Sequence, residues 1–148
     1  MPLWTIYHAP GTFTGADKQE LAAAVTERYR AIGLPRFYVV VIFRETSAGD
    51  FFVGGEPSSA AVRVVIEHIA RQHPDAASRR RAARWISNTL APFMSKYDGV
   101  HWEFHVDETS EQLWMVNGLV PPPGGSDAEK SWVAANAAIP YDRVEESV

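Results

Sequence analysis

Pro2 follows the initiator methionine, and removal of Met1 turns its nitrogen from an amide with neither N–H nor basicity into a terminal secondary amine. Such an amine is a base and a nucleophile that no internal residue supplies. Its pKa starts near about 8, and burial or a neighbouring cation lowers it towards neutrality, where it works as a general base. With Met1 attached, the position is only a proline near a chain end. Arg71 is the second group of interest, because a planar guanidinium grips a carboxylate through two parallel hydrogen bonds and keeps its charge at any working pH. The alternative for Arg71 is a salt bridge with Glu67 or with an acidic residue of another subunit. His8, His68, His101 and His105 raise the question of a metal, and His105 shares a strand face with Asp107. No spacing among them makes a ligand set, and no metal site is expected.

The composition narrows the partners. A chain of 148 residues, 46% hydrophobic, suits a single domain spanning 1–148. A net charge of −4 and a pI near 5.7 argue against a nucleic acid or an anionic membrane as partner. Arg79, Arg80 and Arg81 form the one basic run and read as the solvated face of a helix. The absence of cysteine removes disulfides, thiolate nucleophiles and cysteine-bound metals. No basic stretch followed by a long apolar segment opens the chain, and no apolar run is long enough to span a bilayer, so a cytoplasmic location is expected.

The elements that must position Pro2 and Arg71 follow from periodicity. Residues 3–8 form an aromatic and β-branched run ended by Pro10 and Gly11. Thr14 and Asp17 have the spacing of a capping box, and Leu21, Val25, Tyr29 and Ile32 then recur at helical spacing as far as Gly33. Residues 37–43 are apolar throughout, as in a parallel strand covered on both faces. After a loop over 46–59, Val62, Val64 and Ile66 share one strand face, with Arg63, Glu67 and Arg71 on the other. Ala82, Ile86, Leu90 and Phe93 mark a second helix, and a fourth strand covers 100–107.

The chain therefore reads as β-α-β over 3–45 followed by β-α-β over 62–108, an internal repeat. The fold class expected is α+β in two layers: a four-stranded sheet with both helices on one face. The other face carries large apolar side chains beside Arg63 and Glu67, a mixture that suits a subunit interface. Residues 119–148 form an arm that starts stiffly with Pro121, Pro122, Pro123, Gly124 and Gly125. Ser126 and Glu129 offer a capping box for a short helix through Trp132.

Met1-Pro2, the doubled unit and an arginine after the third strand together resemble the tautomerase superfamily, in particular the group similar to cis-3-chloroacrylic acid dehalogenase. The resemblance runs from Pro2 to Trp132, through the stretches 2–7, 51–55, 68–71, 102–104 and 119–124. It implies a homotrimer, a cofactor-free enzyme of the tautomerase kind, Pro2 as the acid or base, and Arg71 as the ligand of a small carboxylate substrate. The rest of the dehalogenase pattern departs. Tyr29 stands at the family's histidine position, Pro74 at that of its second arginine, Phe104 at its tyrosine and Met115 at its glutamate. With the imidazole and carboxylate that would activate water replaced, the resemblance points to tautomerisation of a 2-oxo or unsaturated acid rather than to hydrolytic dehalogenation or hydration. Tyr29 is then either a core tyrosine or the proton donor to an enolate. His73 is a candidate second donor beside Arg71, Phe104 an apolar neighbour of the base, and Asn117 an amide able to orient a carbonyl. The rival from another class is a trimeric binding protein that kept the fold and lost the chemistry.

Overall fold

The structure, a computed structural model, describes residues 1–69 and 71–142; the end of the expected arm, 143–148, lies outside the described residues. Strand β1, Pro2–His8, leads into helix α1, Gly15–Arg30. Both arms of the Thr14–Asp17 capping box form, which satisfies backbone groups that the first helical turn leaves unpaired. Leu21, Val25 and Tyr29 are buried as their spacing requires, but the helix ends at Arg30. Ile32, expected on the same stripe, lies beyond the last turn and is 63% exposed.

The apolar run over 37–43 divides into two conformations. Residues Arg36–Tyr38 form a single 3-10 turn after Pro35, and strand β2 is Val40–Glu45. The ring of Phe37 packs against Trp132 and that of Tyr38 against both Trp114 and Trp132, so tertiary aromatic contacts override local strand preference here. Strand β2 pairs parallel to β1 as expected. It is an edge strand packed on one face only, and Ile42 on the other keeps 39% exposure.

The loop over 46–59 contains a small hairpin, β3 Phe52–Val53 and β4 Glu56–Pro57, turned by Gly54 and Gly55, both at positive φ. Strand β5, Ala61–Ile69, is followed by α2, Ala76–Met94. Helix α2 begins six residues before Ala82 because Asp75 and Ser78 form a second capping box. Strand β6 is His101–Thr109, and α3, Asp127–Ala135, closes the described arm. Among the described residues no helix is long and apolar enough to cross a membrane.

The four main strands lie in the order β2-β1-β5-β6. Each half of the repeat supplies one parallel pair, β1 with β2 and β5 with β6, and the halves join along a single antiparallel seam, β1 with β5. Pro2, Trp4, Ile6 and His8 alternate inward on β1, while Val62, Val64, Ile66 and His68 do so on β5. This face meets Leu21, Val25, Ile86 and Leu90 in one hydrophobic core. The opposite face carries Leu3, Thr5 and Tyr7 beside Arg63, Val65 and Glu67 in the register of the seam. Leu90 is fully buried in that core, so Leu90→Ala is expected to cost about 2–5 kcal/mol in urea unfolding. A loss under about 1 kcal/mol would show that α2 is not packed as described.

Candidate active site

Pro2 opens a central strand, a position proline tolerates only where no ladder hydrogen bond is required of it. The seam meets that condition on the β5 side, and the pairing with β2 begins only at Leu3. Met1 and Ile69 exchange both backbone bonds, the terminal amine donating to the Ile69 carbonyl at 2.6 Å and the Ile69 N–H donating to the Met1 carbonyl at 2.9 Å. The next pair, Pro2 with His68, is therefore a non-hydrogen-bonded one, in which Cα atoms approach to about 4.5 Å and side chains are closest.

His68 is buried, and its Nε2 lies 2.6 Å from the Tyr29 hydroxyl. That hydroxyl oxygen accepts the Trp4 indole N–H at 3.0 Å. An indole N–H only donates, so the arrangement that gives the Tyr29 proton an acceptor directs it to His68 Nε2, with the imidazole neutral and its own proton on Nδ1. The pKa of His68 falls from 6.5 to about 4, through burial first and then through His73 and the terminal amine. Burial pushes the Tyr29 hydroxyl well above its ordinary range. Tyr29 is both a core residue, edge-on to Trp4 and Trp85, and the hydrogen-bond partner of His68. An imidazole thus reaches the amino terminus from β5.

Arg71 forms a salt bridge with Glu129, its Nη2 2.5 Å from Oε1, and keeps 41% side-chain exposure while Glu129 has 6%. The other Glu129 oxygen accepts the Gly125 N–H at 2.6 Å. Only half of the expected Ser126–Glu129 capping box forms. The Ser126 hydroxyl accepts the Glu129 N–H, but the carboxylate is turned away to Gly125 and Arg71. Within the chain the partner of Arg71 is Glu129 and not Glu67. A Cβ on Gly124 would come within 3.1 Å of Arg71 Nη2 and 3.3 Å of Cζ, so the proline-glycine arm forms a floor beneath the guanidinium.

The terminal amine belongs to the same neighbourhood. Its pKa falls from 8.0 to about 5, chiefly by burial and then by Arg71, with Glu129 acting in the opposite sense. An amine held here is neutral at pH 7.

The remaining expected residues are more dispersed. His73 anchors its backbone N–H on Glu108 at 3.1 Å, and its ring lies 5.7 Å from that of His68. With Phe104, Val106 and Glu108 it lines a cleft of about 500 Å³ between β6 and α2. Phe104 pairs with Val64, two rows along the sheet from His68 and Glu108. Asn117 is exposed at the tip of a two-residue turn, Asn117 and Gly118 both at positive φ, flanked by the Val116–Leu119 bridge; no described hydrogen bond joins it to the others. A second hollow, of about 370 Å³ and lined in part by Pro10, Lys96 and Asp98, lies at the other end of the sheet. Among the described residues no group of three or more acidic or histidine side chains is arranged to hold a metal ion.

A family model described as "Putative oxalocrotonate tautomerase enzyme" matches residues 1–137. The solved structure of RhCC from Rhodococcus jostii RHA1 is 42% identical, with 94% of this chain and 99% of that one covered and a TM-score of 0.89. A structure described as a probable enzyme from the thermophilic fungus Aspergillus fumigatus is 40% identical over 95% of this chain and 98% of that one, also at 0.89. N1, a member of the cis-3-chloroacrylic acid dehalogenase family, shares the fold at 21% identity, 89% and 90% coverage and a TM-score of 0.71. Among curated proteins nothing matches.

The neutrality of His68 has a measurable signature. With the folded pKa about 4 and the unfolded value 6.5, the unfolded chain binds the extra proton first, so stability falls as pH drops from 6.5 towards 4. The terminal amine, lowered from 8.0 to about 5, slopes the same way at higher pH and is common to parent and variant. His68→Gln should therefore remove only the lower part of the slope, on the order of 2 kcal/mol between pH 7 and pH 4.5 in urea titrations. Parallel stability curves for parent and variant would refute a neutral His68.

Proposed function

We propose that this chain, which belongs to the family described as "Putative oxalocrotonate tautomerase enzyme", is a cofactor-independent tautomerase whose base is the amino-terminal nitrogen of Pro2, freed by loss of Met1, and whose substrate is a small 2-oxo or unsaturated carboxylic acid. The observation that carries this is the buried amino terminus, where an amine is depressed to about 5 beside Arg71. After loss of Met1 the free nitrogen is that of Pro2, one residue further in, with His68 across the strand.

The chemistry needs a base, an anion clamp and a group that stabilises an enolate. Pro2 accepts the proton from the carbon beside the substrate carbonyl; the C–H electrons move into the enolate, and the protonated amine returns the proton to oxygen or to another carbon. Arg71, held along one edge by Glu129, binds the carboxylate with its exposed N–H groups. Tyr29 acts through His68: by occupying Nε2 it leaves the Nδ1–H as the donor to the enolate oxygen. Phe104, His73 and Asn117 belong to the wider surroundings, His73 nearest the cleft where a bulky substrate would extend.

The uncovered sheet face, with Tyr7 and Ile42 each 39% exposed, supports a homotrimer, as does a fused 4-OT chain of 22% identity solved as a symmetric trimer. Light scattering should give about three times 16.4 kDa; a monomer mass at micromolar concentration would exclude it. One observation favours a binding protein instead: with Met1 retained and paired to Ile69, Pro2 has no basic nitrogen. Keto–enol conversion of phenylenolpyruvate separates the two. The Met1-free chain should lose about two orders of magnitude or more on Pro2→Ala, the scale of general-base catalysis. Equal rates in parent and variant would leave the binding function standing.

A further inference from the structure

Tyr38 is 2% exposed, and its hydroxyl has no hydrogen-bond partner. A buried phenol ordinarily finds one, and leaving it without one costs stability that the native packing must offset. The ring is fixed edge-on by Trp114 at 4.8 Å and Trp132 at 6.1 Å between centroids, so the hydroxyl cannot swing freely to solvent. Trp132 lies one helical turn beyond Glu129 on α3. Burial first, then the Glu129 carboxylate, raises the Tyr38 hydroxyl above its ordinary range, and Arg71 acts in the opposite sense. Tyr38 is thus within electrostatic reach of the Arg71–Glu129 pair. On its other side, the 3-10 turn ending at Tyr38 leads through Val39 into β2, whose first residue, Val40, pairs with Leu3. The turn that carries Tyr38 therefore enters the sheet beside the chain end on the β2 side, opposite His68 on the β5 side.

We infer that the Tyr38 hydroxyl is the second arm of the anion site, donating to one oxygen of a substrate carboxylate whose other oxygen is held by Arg71. The inference rests on the tautomerase function above and deepens it. It assigns to Tyr38 the part expected of His73. The His73 Nε2 is also buried without a partner, but His73 is anchored to Glu108 on β6, on the far side of His68 from β2. A fixed, uncharged donor beside a single guanidinium selects a planar carboxylate and adds no second cation that would lower the pKa of the base further.

The test uses the chain beginning at Pro2 and phenylpyruvate as the probe. Tyr38→Phe keeps the ring and deletes only the orphaned hydroxyl. Its urea midpoint should equal or exceed that of the parent, while calorimetric affinity for phenylpyruvate falls about tenfold or more, the scale of a hydrogen bond to a charged acceptor. The methyl ester of phenylpyruvate should bind parent and variant alike. A lower urea midpoint would show that the hydroxyl already has a partner. Unchanged phenylpyruvate affinity, an equal loss for the ester, or a loss seen in His73→Gln instead would each overturn the assignment. Pro2→Ala should retain phenylpyruvate binding while losing turnover, so a failure of the proton-transfer function shows in turnover and a failure of the Tyr38 assignment shows in binding.

Discussion

The antiparallel seam between β1 and β5 is the constraint on which the rest depends. It is where the two halves of the repeat meet, so it brings the first residue of one half against the last inward residue of the other, His68. Its alternation of hydrogen-bonded and open pairs, together with a β2 pairing that begins only at Leu3, allows a proline at the start of a central strand. A register shifted by one residue would turn every inward side chain of β1 outward. Core packing of Trp4 and Ile6 and the placement of Pro2 beside His68 are therefore the same structural fact.

Around that seam the protein assembles its charges unequally. Arg71 is half exposed and its partner Glu129 is buried, which makes the carboxylate the fixed member of the pair. A buried carboxylate is stable only when its oxygens are matched, and here the Gly125 N–H and the guanidinium divide them. The short helix α3 is anchored from beneath by Trp132, fully buried against Tyr38 and Phe37. The arm thus converts aromatic packing into the position of a cation, and that cation in turn lowers the basicity of the neighbouring amine.

The periodic segments were legible from residue order. Leu21, Val25 and Tyr29, and then Ala82, Ile86, Leu90 and Phe93, are buried at the spacing that identified them, and the doubled β-α-β order emerges as drawn. His68 carries a usable signal in the sequence, since it continues the Val62, Val64, Ile66 alternation that faces the core. Other features depended on contacts remote in sequence. Ser126 and Glu129 show the pattern of a complete cap, but the carboxylate answers to Arg71, 58 residues away. Residues 37–43 look like one strand, yet Phe37 and Tyr38 obey the aromatic cluster beneath α3. Local pattern cannot report which of two satisfactory partners a side chain will choose.

The strand pairing of Met1 also sets an order of events. An aminopeptidase must draw the terminal amine and the first peptide bond into its own catalytic pocket, and in the folded chain both are engaged with Ile69. Whatever acts on that amine must therefore first open the end of the β1–β5 seam, the same pairing that sets the inward faces of both strands.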